Sequence, residues 1–118
     1  MSSTVLQEKI NTLHDLAHRL LHMELSGNYL YADDLPQLNN NIHEQINELY
    51  IQQGKTDEQE ASLCLALLLG FSVSMYASPG DDFKRQTILK RSQNILETLS
   101  PSSLKEDLLT VYKEYQII

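Results

Sequence analysis

Apolar positions along this chain recur every three or four residues, and no stretch alternates with the two-residue period of a half-buried strand. Gly, Pro, Ser and Asp divide it into five such segments. In the first, Thr4 and Gln7 stand at capping-box spacing, Leu6, Ile10, Leu13, Ala17 and Leu20 form one stripe, and Ser26-Gly27-Asn28 ends the helix. After a loop holding Tyr29, Leu30 and Tyr31, Asp34 is placed to cap a second helix with Pro36 in its first turn. Leu35, Leu38, Ile42, Ile46, Leu49 and Tyr50 point inward there, and Gly54 stops it. Thr56 and Gln59 make another capping box for a third helix, which runs to about Ala77 before Ser78-Pro79-Gly80. The fourth starts near Asp81 or Asp82 and carries Ile88, Ile95 and Leu99 on one stripe, with Leu89 and Leu96 beside it. The fifth begins at Ser100-Pro101, or at Ser103 with Glu106, and aligns Leu104, Leu108, Val111, Tyr112 and Tyr115.

The third segment differs from the others in having no polar face. Leu63 to Leu69 is an unbroken apolar run, so this helix has to be wrapped by its neighbours. Burying its five leucines contributes a gross gain of about 10 kcal/mol, comparable to the net stability of a small domain. Short connections favour antiparallel neighbours. The expected fold is therefore all-α, a compact single-domain bundle of about five helices spanning residues 1–118 around the apolar helix from Thr56 to Ala77. Gly70 inside that helix serves either a close helix crossing or a kink.

Charge narrows the partners. The net charge is −7, and residues 1–79 hold 3 Lys and Arg against 10 Asp and Glu, while residues 80–118 hold 6 of each. Such a chain repels nucleic-acid phosphates and anionic lipid, so neither direct nucleic-acid binding nor membrane association is expected. A single cysteine, Cys64, excludes a disulfide framework and a cysteine metal set. The N-terminus has no secretory pattern, and the apolar stretch from Leu63 to Tyr76 is too short to span a bilayer, which points to the cytoplasm.

Candidate chemistry is sparse. His14, His18 and His22 recur at one-turn spacing, which suits a metal pair, but the helical wheel turns His18 and His22 to solvent and no metal is expected. Cys64 among leucines reads as packing, because burial disfavours the thiolate. Asp33/Asp34, Asp57/Glu58 and Asp81/Asp82 all stand at helix starts and read as caps. With no phosphate cradle and no nucleophile motif, the chain is not expected to be an enzyme or to hold a cofactor. Lys84, Arg85, Lys90 and Arg91 read as a solvated basic face. Tyr29 and Tyr31 offer contact area at low entropic cost and are better suited to recognition.

Glu60-Ala61-Ser62-Leu63-Cys64-Leu65-Ala66-Leu67-Leu68-Leu69-Gly70-Phe71, followed by Tyr76, Gly80-Asp81, Arg91, Leu96, Leu99 and Ser103-Leu104-Lys105, resembles the UpxZ family of transcription anti-terminator antagonists of capsular polysaccharide loci. Leu30-Tyr31-Ala32-Asp33 and Glu48-Leu49-Tyr50 extend the resemblance over roughly residues 29–109. The chain departs from the family in Pro79 and in ending at Ile118, where family members are expected to continue with further helix. The resemblance implies a regulator that blocks the NusG-like anti-terminators of competing capsule loci by binding them, without catalysis. Most matching positions are apolar and report the fold. The physical reading adds an acidic N-terminal surface, including Asp15, Glu24, Asp33, Asp34, Glu44 and Glu48, that meets a basic partner, with Tyr29 and Tyr31 as desolvated anchors. One alternative is a helical dimerisation or adaptor module, in which the chain forms a homodimer and has no transcription role; another is a metal-responsive sensor using His14, His18 and His22.

Overall fold

The computed structural model describes residues 2–26, 35–73 and 81–116. They form five helices: α1 (Ser3–Ser26), α2 (Leu35–Leu49), α3 (Asp57–Val73), α4 (Asp81–Thr98) and α5 (Ser103–Gln116). The Asp34 cap, the loop with Tyr29, Tyr31 and Asp33, the end of the third helix near Ala77 and the Ser78-Pro79-Gly80 break lie outside the described residues.

As the unbroken leucine run requires, α3 packs against each of the other four helices. Leu63, Cys64, Ala66, Leu67 and Leu68 are all fully buried. Around them one core gathers Leu6, Ile10 and Leu13 of α1, Ile42, Ile46 and Leu49 of α2, Ile88 and Leu89 of α4 and Leu108 of α5. Gly70 is resolved as a close crossing, since α3 continues through it to Val73. A Cβ at Gly70 would lie 3.0 Å from Ile46 Cδ1 and 3.4 Å from Leu13 Cδ1, so α1 and α2 both press on this point.

Helix starts differ from expectation where a better placed hydroxyl exists. The first helix is capped by Ser2, whose Oγ accepts from the Val5 N–H at 3.2 Å, and Gln7 bonds Asn11 rather than closing a box with Thr4. Similarly, Ser102 caps α5, accepting from the Lys105 N–H at 3.2 Å. The Thr56 box does form, with the Gln59 N–H donating to Thr56 Oγ1 at 3.1 Å. Its reciprocal half is shifted, however: Gln59 Oε1 accepts from the Lys55 N–H, while Nε2 donates to the Ser3 carbonyl at 2.9 Å. Gln59 thereby ties the start of α3 to the start of α1.

Gly54 does not end the second helix, which stops at Leu49. It lies instead against the first turn of α3, where an added Cβ would stand 2.2 Å from the Glu60 backbone nitrogen. Its own N–H donates to Glu60 Oε1 at 2.9 Å. The same carboxylate receives Arg91 of α4 in a two-pronged pair, Nε to Oε2 at 3.0 Å and Nη2 to Oε1 at 2.7 Å. Arg91 also donates to the carbonyls of Tyr50 and Gln52, at 3.2 and 2.8 Å. One guanidinium therefore closes the open carbonyls after α2 and fastens α4 to α3. Burial acts to lower the Arg91 pKa, but the Glu60 hydrogen bond and the nearby charges outweigh it and the net shift is upward.

This corrects the reading of Lys84, Arg85, Lys90 and Arg91 as a solvated face, which holds only for the exposed Lys90. Lys84 donates to Asn47 Oδ1 at 2.7 Å and sits 5.7 Å from the Tyr50 ring centroid, and the Arg85 guanidinium lies 5.5 Å from that of Phe71. The acidic N-terminal half supplies partners within the molecule that the sequence pattern does not reveal.

Candidate partner-binding site

Three helix stripes converge on a trench along one side of the bundle. Its floor is the α3 row Glu58, Ser62, Leu65 and Leu69, spaced by four, three and four residues and hence aligned on one face. One wall is the α1 row from Ser3, Gln7 and Asn11 to His14 and His18. For the far half, the opposite wall is Ser103, Asp107 and Thr110 of α5, with Leu104 and Val111 between them. Three hollows of about 450, 230 and 240 Å³ follow one another along it, each sharing lining residues with the next. The trench exists because α1 and α5 both pack on α3 and make at most marginal contact with each other. From Ser3 to His18 it extends about 23 Å, the length of four helical turns.

Every fixed charge on the lining is negative: Glu8, Glu58 and Asp107. Leu65, Leu69, Leu104 and Val111 supply apolar area between them, and Ser, Thr, Asn and Gln make up much of the rest. Such a surface suits the apolar side and flanking cations of an amphipathic helix laid along it. His14 stands half-buried at the middle of the wall. Burial, and then His18, lower its pKa, against opposing pulls from Asp15 and Asp107.

Of the residues expected from sequence to meet a partner, the described ones, Asp15, Glu44 and Glu48, do not line this trench. Glu44 is exposed on α2, while Glu48, on the same helix, forms an ion pair with Lys9 of α1. Asp15 is exposed on α1. Tyr29, Tyr31, Asp33 and Asp34 lie outside the described residues, as do the side chains of Glu24 and His22. Sequence reasoning missed the trench because its lining is chemically ordinary, and because the α5 wall has to be known before the floor is recognisable as uncovered. The spacing 58, 62, 65, 69 was available as a signal, since Glu58 and Ser62 are the polar members of an otherwise leucine-rich row. It also passed over Phe83 and Ile51, which are 72% and 74% exposed.

Cys64 is core packing: burial, and next the Glu60 charge, push its pKa up to about 12. Among the described residues no three His, Cys, Asp or Glu gather as a metal set, and no helix is long and apolar enough to cross a membrane.

A family model for the UpxZ family of transcription anti-terminator antagonists matches residues 10–114. Among solved structures, the chain is similar to a transcription anti-terminator antagonist UpxZ from Bacteroides uniformis, with 33% sequence identity and a TM-score of 0.81. The match covers 91% of this chain and 66% of that one, so this chain spans just under two thirds of that relative's length. No curated protein matches.

Proposed function

This chain belongs to the UpxZ family of transcription anti-terminator antagonists, and from that premise we propose that it silences competing capsular polysaccharide loci by binding their NusG-like anti-terminators in the cytoplasm. The mode is occlusion by protein contact. The observation that favours it is the trench, whose fixed charges are all negative and whose length accommodates a four-turn helix. A basic amphipathic helix of the anti-terminator lies there in this reading, its cations facing Glu8, Glu58 and Asp107. Glu44, with Asp33 and Asp34, adds to the acidic field of this half of the chain, Glu48 being engaged by Lys9, and Tyr29 and Tyr31 serve as anchors on the strength of their chemistry.

Charge steering sets the expected result. Glu8→Lys combined with Asp107→Lys slows association with a purified NusG-like anti-terminator by about tenfold at low salt, and much less at high salt, where the field is screened. Stopped-flow mixing at several ionic strengths reads this directly, with circular dichroism confirming that the helices persist. Phe83→Ser serves as the comparison. If that change abolishes binding while the trench reversal leaves the rate untouched, the interface is elsewhere and the trench assignment is wrong.

A further inference from the structure

Two ring nitrogens on the trench wall stand at a spacing that helix packing alone does not demand. His14 and His18 lie one turn apart on α1 and share a face. Their Nε2 atoms are 3.3 Å apart, their ring centroids 4.4 Å, and the planes are tilted by 54°. A nitrogen-to-nitrogen hydrogen bond of that length is long, since the common range centres near 3.0 Å. By contrast, two imidazole nitrogens each about 2.0–2.1 Å from a tetrahedral zinc lie about 3.3 Å from one another. The pair already has the bite of a chelate.

The surroundings suit a cation. Both rings and Asp107 line one hollow between α1, α3 and α5, backed by Leu65, Leu69 and Val111. The Asp107 carboxylate gives the hollow negative charge.

We propose that His14 and His18 chelate a divalent cation of zinc's class through their two Nε2 atoms. With no third His, Cys, Asp or Glu gathered beside them among the described residues, the ion keeps open positions that water fills. Geometry favours zinc over copper, which prefers a tetragonal arrangement. The site is independent of the anti-terminator reading, and its failure would leave that reading intact.

The test uses the full chain without a histidine tag. Zinc titrated calorimetrically is expected to bind with one equivalent, cobalt substituted for it gives the intense visible bands of a tetrahedral ion, and zinc shifts the His14 and His18 ring signals in NMR spectra of the unchanged protein. His14→Gln and His18→Gln each weaken binding by about tenfold or more, with thermal melts showing that both variants fold. His22→Gln leaves it unaltered. The proposal is overturned if millimolar zinc produces no binding, if the double His14→Gln, His18→Gln variant binds as before, or if His22→Gln alone abolishes binding.

Discussion

Gly54→Ala is expected to destabilise the protein by about 3 kcal/mol or more, an unusual cost for one methyl group on a connecting segment. The reason is what the methyl would meet. Its nearest neighbours are the Glu60 nitrogen at 2.2 Å, the Glu60 Cα at 2.5 Å and the Gln59 carbonyl carbon at 2.7 Å, all backbone atoms of the first turns of α3. A side chain can rotate away from a contact, whereas a helix turn has to move as a whole. Moving it also strains the Gly54 N–H bond to Glu60 and the Lys55 N–H bond to Gln59. Gly70→Ala provides the control. Its added methyl meets the tip of Ile46 at 3.0 Å, a flexible contact, and is expected to cost about 1 kcal/mol. Urea unfolding with an unchanged slope measures both, and equal midpoints for the two variants would show that Gly54 is not a contact point.

The second large effect belongs to Arg91. Its side chain and that of Glu60 are 17% and 18% exposed, so the pair is well shielded from water. Arg91→Met removes the two-pronged contact and leaves the Glu60 carboxylate without its cation and the Tyr50 and Gln52 carbonyls without a donor. Breaking one side of such a pair costs about 3 kcal/mol, which for a chain of this size lowers the melting temperature by about 10 °C. Glu60→Gln should cost less, because the amide oxygen still accepts from Arg91. The Arg91→Met, Glu60→Leu double variant should then be more stable than the sum of its parts predicts. Strict additivity in that cycle would mean the two side chains act separately. Arg91→Lys is not a rescue, since an ammonium lacks the planar fork that reaches a carboxylate and two carbonyls together.

These two sites mark where the sequence stops being readable. Helix number, the enclosed third helix and the inward stripes follow from periodicity, because burial of Leu6, Ile42, Leu67 or Ile88 is a local consequence of where apolar side chains recur. Caps were legible to within two residues: Ser2 and Ser102 do the work assigned to Thr4 and to Ser100 or Ser103. The Glu60 and Arg91 pair was not legible, as 31 residues separate its members and nothing local distinguishes Arg91 from Lys90. The trench was equally hidden, being a property of two helices that fail to meet. Glu48 shows the converse error, in which a charge counted toward an outward field is engaged by Lys9.

The thin cover over the row Glu58, Ser62, Leu65 and Leu69 has a calorimetric consequence. Leu65 is already buried, but Leu69 and the flanking Leu104 and Val111 are only half-buried, so any chain seated there completes the exclusion of solvent from those three side chains. Complex formation should therefore carry a negative change in heat capacity, with the binding enthalpy growing more exothermic on warming. Purely electrostatic docking at the rim would lack that slope.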